Sequence, residues 1–85
     1  MTKILTLEDE ASIRSFIVVN LKRNNFTVVE AASGEEALEK ADDTIDIALL
    51  DVMLPGISGF EVCKRLREKY PSMGIIMLTA KGLEE

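Results

Sequence analysis

Acidic side chains follow the first and third of four short apolar runs in this sequence. Glu8 and Asp9 come directly after Lys3–Leu7, and Asp51 ends the run that begins at Ile45. Runs of this length and composition are typical of buried β-strands. If the two strands are neighbours in a parallel sheet, they lie about 4.8 Å apart. Carboxylates that close repel one another unless a proton or a cation joins them. Mg²⁺ is the cation we expect, because it is a hard ion that prefers oxygen ligands.

A carboxylate held beside Mg²⁺ can also act as a nucleophile toward phosphorus and form an aspartyl phosphate. The metal and nearby donors would then stabilise charge on the transferring phosphoryl oxygens. Thr79, at the end of the fourth apolar run, could donate a hydrogen bond to the phosphoryl group. The alternative is that Asp51 and Thr79 are ordinary strand-end residues. The acids after the first strand would then only favour a helix N-terminus through the macrodipole.

Composition narrows the classes of function that this chain can have. With 85 residues it makes one small domain at most, and 47% hydrophobic residues exclude disorder for most of it. The absence of histidine excludes imidazole bases and histidine metal ligands, and one cysteine excludes a disulfide within the chain. A net charge of −5 argues against nucleic-acid binding by this segment, and no apolar run approaches a membrane span. A lone thiol suits the cytoplasm.

The elements that must position these groups alternate in the order βαβαβαβ. Strands are predicted at residues 3–7, 26–30, 45–51 and 75–79, and helices at 11–24, 34–41 and 59–70. Apolar strands separated by helices predict a parallel sheet covered on both faces, with the third strand buried on both sides. Ligands of such sheets bind beyond the carboxyl ends of the strands, where the acids lie. The apolar side chains of the third helix are spaced to share one stripe: Val62, Cys63, Leu66 and Tyr70.

Local signals predict where the first two helices begin and end. Either Asp9 or Ser12 can cap the first helix, which the asparagine pair at 24–25 ends. Ser33 followed by Glu36 is the pattern of a capping box at the start of the second helix.

Four stretches of the sequence carry a resemblance to a known family. They are LEDE at 7–10, LLDVMLPG at 49–56, GFEV at 59–62 and LTAKG at 78–82. In this order and on these elements, they resemble the receiver domain of bacterial two-component response regulators. The residues in these stretches are most similar to those of receivers that precede a winged-helix DNA-binding domain. The resemblance implies a flavodoxin-like, doubly wound α/β fold with strand order 2-1-3-4.

The resemblance also implies a role for each candidate residue. Asp51 would be the phosphoacceptor, and Thr79 would be the hydroxyl that swings toward the phosphoryl group. Asp9 would bind Mg²⁺ directly together with Asp51 and the backbone carbonyl of Met53, while Glu8 would support the ion through water. The donor would be the phosphohistidine of a sensor histidine kinase. Such a domain modifies itself and is not an enzyme in the turnover sense.

The match is incomplete at its C-terminal end. Family members continue into a fifth strand that carries an active-site lysine, and an aromatic switch residue belongs to the same region. The 85 residues include neither, and Lys81 is not that lysine because it lies in the loop after the fourth strand. We therefore expect residues 1–85 to be a truncated receiver domain, with any DNA-binding output domain outside this chain.

The first helix carries more apolar residues than one sheet-facing stripe needs. Either the surplus packs on a neighbouring helix, or Ile13 and Phe16 form an exposed patch near the acids. In the family this helix is a docking surface for the kinase, and Ile13 falls where such a contact would be.

Two other hypotheses compete with a working receiver. The chain could be a structural fragment that is not phosphorylated and forms a dimer or swapped oligomer through the bare edge of its fourth strand. That strand, residues 75–78, is apolar and uncharged. The weaker rival is a doubly wound phosphohydrolase or flavin binder. The first strand lacks an Asp-x-Asp-x-Thr signature, and no loop is rich in hydroxyls and glycines.

Overall fold

Four strands and three helices alternate along the chain in the computed structural model, which describes residues 1–78. The strands are β1 (Lys3–Leu7), β2 (Thr27–Ala31), β3 (Ile47–Asp51) and β4 (Gly74–Leu78), and the helices are α1 (Ala11–Arg23), α2 (Gly34–Lys40) and α3 (Gly59–Lys69). All strand pairs are parallel, and the sheet order is β2-β1-β3-β4. This confirms the predicted α/β fold and its strand order. No helix among residues 1–78 is long and apolar enough to cross a membrane.

The start of β2 differs from the prediction because Phe26 belongs to the end of α1. Asn25 has a left-handed backbone with φ of 69°. Its N–H donates to the carbonyl of Lys22 at 3.0 Å, and the N–H of Phe26 donates to Leu21 at 3.1 Å. This pair of bonds is a Schellman motif. The asparagine pair thus ends α1 as predicted, and β2 begins only at Thr27.

The start of β3 also lies two residues later than predicted. The N–H of Ile45 donates to the carbonyl of Asp42 at 3.2 Å, which makes it part of a turn. The N–H of Asp46 then reaches the carbonyl of Lys3 at 2.8 Å and brings the chain to the edge of β1. Ile45 is nevertheless buried, so its apolar character reflects the core and not strand pairing.

One face of the sheet is covered more completely than the other. The core under α2 and α3 includes Leu5, Leu7, Ala37, Leu50, Val62 and Leu66. Ile4 and Val18 are buried outside this cluster. Because successive strand residues point to opposite faces, α1 covers the second face, where it packs on β1 and β2. On that face Ile47 and Leu49 are only partly buried, and Ile76 is 50% exposed. Among the described residues, β3 is therefore fully buried on one face only, whereas the sequence predicted burial on both.

The stripe predicted for α3 is confirmed. Val62 and Leu66 are buried, and Cys63 and Tyr70 pack against the same core while remaining partly exposed. The Tyr70 hydroxyl donates to the carbonyl of Ala41 at 3.1 Å, which satisfies its polar end. Cys63 is thus a small packing residue of α3.

The cap predicted for α1 is wrong. Neither Asp9 nor Ser12 is the N-cap residue; Glu10 is, and its side chain makes no capping bond. The carboxylate of Glu8 instead accepts the N–H of Glu10 at 3.0 Å. The turn before α1 is therefore held by an acid that precedes it.

The capping box predicted for α2 is half confirmed. The Ser33 hydroxyl accepts the N–H of Glu36 at 3.0 Å, as predicted. The returning bond reaches one residue further back, since the Glu36 carboxylate accepts the N–H of Ala32 at 2.8 Å. That bond, and then the Lys40 ammonium at 2.8 Å, hold the pKa of Glu36 below its usual value.

Apolar side chains of α1 remain in solvent. Phe16 is 70% exposed and Val19 is exposed as well, while Ile13 is partly buried. Of the two alternatives for this helix, the structure therefore favours an exposed patch, centred on Phe16 and only partly including Ile13.

Thr6 is a buried polar residue that weakens the fold. It is fully buried in β1, and its hydroxyl has no hydrogen-bond partner among residues 1–78. A buried hydroxyl without a partner costs about 1–3 kcal/mol. We expect Thr6→Val, which keeps the shape, to raise the free energy of unfolding by about 1 kcal/mol in urea denaturation. Thr6→Ser, which keeps the hydroxyl and loses a methyl group, should be less stable than wild type. A valine variant no more stable than wild type would contradict this account.

Candidate functional site

The carboxyl ends of β1 and β3 bring three acids together. The two strands are neighbours in register, with Leu7 opposite Leu50. One carboxylate oxygen from each of Glu8, Asp9 and Asp51 lies within 4.8 Å of the other two. Among the described residues, no other group of three or more acidic or thiol side chains is close enough to share one ion.

Two of the three acids are almost inaccessible to solvent. Asp51 and Glu8 are each 3% exposed, whereas Asp9 is partly buried. One oxygen of Asp51 accepts the N–H of Met53 at 3.0 Å, which fixes the orientation of the carboxylate at the end of β3. Removing charged carboxylates from water is unfavourable unless hydrogen bonds or a cation compensate them. Three carboxylates this close repel one another, and a cation beside them would offset that repulsion.

The chemistry of the donor set fits Mg²⁺. All three side chains offer hard carboxylate oxygens, and neither a thiolate nor an imidazole is among them. Such oxygens suit Mg²⁺ or Ca²⁺ and not softer transition metals. Asp9 is the partly exposed acid of the three, and Mg²⁺ in proteins usually keeps several waters.

The turn between β1 and α1 is anchored on both sides of Glu8. Its N–H donates to the carbonyl of Ala31 at the end of β2, at 3.1 Å. Its carbonyl accepts Nη1 of Arg14 at 2.7 Å. The guanidinium also meets the Glu30 carboxylate, with Nε 3.4 Å from Oε1. These contacts connect the acids to the neighbouring strand and to α1.

The other side of the site is the loop between β3 and α3. The N–H of Val52 donates to the carbonyl of Leu78 at 3.1 Å, which extends the pairing of β3 with β4 past Asp51. Gly59, the first residue of α3, lies directly against the backbone of Asp51. A Cβ atom at Gly59 would be 2.9 Å from the Asp51 carbonyl carbon and would overlap its oxygen. The beginning of α3 can approach the acid this closely only because residue 59 has no side chain.

Of the two remaining predicted site residues, Met53 lies beside Asp51 and Thr79 falls outside the described part of the chain. Met53 is 58% exposed, and its backbone N–H bonds the Asp51 carboxylate. Sequence reasoning missed Arg14 and Gly59. A glycine directly after the N-cap residue Ser58 was a visible signal, whereas no local pattern indicated that Arg14 reaches back to Glu8.

Known proteins resemble the chain in sequence and in structure. The response regulator receiver domain family matches residues 4–85. Transcriptional regulatory protein ResD of Bacillus subtilis (strain 168) is 49% identical over 84 residues, which are 98% of this chain and 35% of ResD. The chain thus spans about a third of that relative's length.

Two solved structures are similar in fold. One is response regulator protein TrrA from Thermotoga maritima in complex with Mg²⁺-BeF, with 38% identity and a TM-score of 0.87. The other is histidine kinase ThkA in complex with TrrA, with 37% identity and a TM-score of 0.84. Each match covers 94% of this chain and 70% of the matched chain.

Proposed function

The chain belongs to the response regulator receiver domain family, and from this we propose that Asp51 accepts a phosphoryl group from a protein partner. The observation that carries the proposal is the position of Asp51, a buried acid at the end of a central strand within 4.8 Å of two more acids. Residues 1–85 would act as the receiver part of a longer two-component regulator.

In the proposed reaction, a carboxylate oxygen of Asp51 attacks the phosphorus of a phosphohistidine. The new O–P bond forms as the P–N bond breaks, and the electron pair of that bond goes to the imidazole nitrogen. The Met53 N–H, at 3.0 Å from one carboxylate oxygen, orients the nucleophile before the reaction. The domain modifies itself once and turns over no other substrate.

We propose Mg²⁺ as the cofactor. Asp9, Asp51 and the backbone carbonyl of Met53 would hold the ion, and Glu8 would support it through water. When bound, Mg²⁺ neutralises charge on the transferring phosphoryl oxygens. Thr79 would donate its hydroxyl hydrogen bond to the phosphoryl group. The hard oxygen donors of the cluster support this choice, as does the crystal structure of the similar TrrA in complex with Mg²⁺-BeF.

The partner that supplies the phosphoryl group would be a sensor histidine kinase. TrrA, which resembles this chain, was crystallised with the histidine kinase ThkA, and the exposed Phe16 beside Ile13 offers an apolar contact near the acids.

An output domain that binds DNA would lie outside these 85 residues, since the similar ResD is a transcriptional regulatory protein of about three times this length. We place the protein in the cytoplasm, where its single free thiol, Cys63, stays reduced.

The proposal is tested by incubating the protein with Mg²⁺ and acetyl phosphate, followed by mass spectrometry of the intact chain. We expect one added phosphoryl group, and none when EDTA removes the metal. No adduct under either condition would contradict a working receiver and favour the second candidate, a fragment that is not phosphorylated and associates through β4.

The observation that favours this second candidate is the outer edge of β4, which no strand within residues 1–78 covers. The N–H of Gly74 donates to Asp46, and the carbonyl of Leu78 accepts from Val52, so these residues direct their backbone groups toward β3. Because backbone direction alternates along a strand, the backbone groups of Ile75 and Met77 point to the outer side. An apolar edge of this kind pairs readily with another chain.

We expect the 85-residue chain to sediment as a dimer or larger species through this edge. Ile76→Lys places a charge on the exposed strand and should shift the distribution toward monomer. Ser15→Lys makes the same change of charge on the exposed side of α1 and should leave the distribution unchanged. A wild-type chain that sediments as a stable monomer would rule out association through β4.

A further inference from the structure

Arg14 connects the turn that carries Glu8 and Asp9 to the neighbouring strand β2. It lies in the first turn and a half of α1, and its side chain is only 20% exposed. One guanidinium nitrogen reaches the carbonyl of Glu8 at 2.7 Å, and another lies 3.4 Å from the Glu30 carboxylate. A single planar group therefore joins the ends of β1 and β2 from the side of α1.

The bond to Glu8 acts on the peptide that joins two of the three clustered acids. The Glu8 carbonyl belongs to the peptide unit between Glu8 and Asp9, and this unit is planar. Fixing the carbonyl therefore fixes the direction in which the chain enters Asp9. On the other side, the bond from the Glu8 N–H to Ala31 restrains the preceding unit. Rotation of this peptide would change the backbone torsion angles at Asp9 and so the position of its carboxylate relative to Asp51.

We propose that Arg14 is a positioning residue for the metal site, which holds the Glu8–Asp9 peptide in the orientation that lets Asp9 and Asp51 bind one divalent cation. This inference rests on the proposed function. Arginine suits the role because its rigid fork of donors serves two acceptors at once, which a lysine ammonium does with less directional control.

Charge and position make opposite predictions for the loss of Arg14. A guanidinium this close to the cluster repels a divalent cation, so its removal should strengthen binding if charge alone mattered. If Arg14 acts by holding the peptide, its removal should weaken binding. The direction of the change therefore distinguishes a positioning role from a simple electrostatic one.

The experiment is isothermal titration calorimetry of the protein with MgCl₂ and no phosphodonor. We expect Arg14→Met to bind Mg²⁺ about tenfold more weakly than wild type, as is typical when an outer partner of a metal ligand is lost. Lys40→Met is the matched control. Lys40 lies at the same end of the sheet and bonds the Glu30 carbonyl and the Glu36 carboxylate, but not Glu8. The Lys40→Met variant loses the same charge as Arg14→Met and should bind Mg²⁺ at least as tightly as wild type.

Arg14→Lys keeps the charge and also tests the inference if Arg14→Met does not fold. We expect it to bind Mg²⁺ more weakly than wild type because the ammonium does not reproduce both contacts. Wild-type affinity in whichever arginine variant folds would overturn the positioning role while leaving the proposed function intact. A wild-type protein that binds no Mg²⁺ would overturn both.

Discussion

The Asp51→Asn variant is expected to take up no phosphoryl group when the protein is incubated with Mg²⁺ and acetyl phosphate. The amide lacks the anionic oxygen that attacks phosphorus, and it removes one charged donor from the cluster. Its carbonyl oxygen can still accept the N–H of Met53, so the loop after β3 keeps its contact. Mass spectrometry of the intact chain should therefore show one added group for wild type and none for the variant.

The control is an acid elsewhere on the molecule. Asp43 is exposed in the loop after α2 and lies outside the cluster at the ends of β1 and β3. Asp43→Asn removes the same charge and should be phosphorylated like wild type. An adduct that persists in Asp51→Asn would mean that another side chain is the acceptor, which peptide mapping would then identify.

The Gly59→Ala variant is expected to lose about 3 kcal/mol of stability, because overpacking against backbone is not easily relieved. The added methyl group would overlap the carbonyl oxygen of Asp51 and lie 2.9 Å from Cα of Val52. Backbone atoms at the end of a central strand cannot move aside without disturbing its pairing. Urea denaturation should show the midpoint falling well below that of wild type.

Gly74→Ala is the matched control for this change. A Cβ atom there would lie 3.5 Å from the Asp46 carbonyl oxygen and 3.5 Å from a side-chain carbon of Ile47, which are ordinary contacts. We expect a change within about 1 kcal/mol, since Gly→Ala at a tolerant position has a small effect. Equal stabilities for the two alanine variants would mean that α3 can move away from Asp51.

The sequence was sufficient to predict the order of elements and the acids that meet at the ends of β1 and β3. Both depend on information that is local in the chain: apolar runs mark the strands, and acids stand directly after them. The ends of the strands were harder to predict, because they depend on which acceptor each backbone N–H finds. Ile45 looks like a strand residue, but its N–H is used by a turn, and Phe26 closes a helix instead of opening β2.

The details of the site were harder to predict because they come from tertiary contact. The bond from Arg14 to Glu8 spans six residues and depends on the angle at which α1 leaves the sheet. The need for glycine at position 59 follows from how closely α3 approaches Asp51, a distance that no local pattern contains. The cap of α1 was wrong for a related reason, because Asp9 lies in the acidic cluster instead of capping the helix.

The hydrogen bond from Val52 to Leu78 couples the end of β3 directly to an edge of the sheet. It joins the residue after Asp51 to the last residue of β4, so a displacement of the end of β3 acts on β4 through one bond. Within residues 1–78, β4 is an edge strand of the sheet, and Ile76 on it is 50% exposed. Thus β3, which pairs with a strand on each side, is coupled to β4, which pairs with one strand only within residues 1–78. Movement started at the buried acid can reach an outer surface without repacking of the core under α2 and α3.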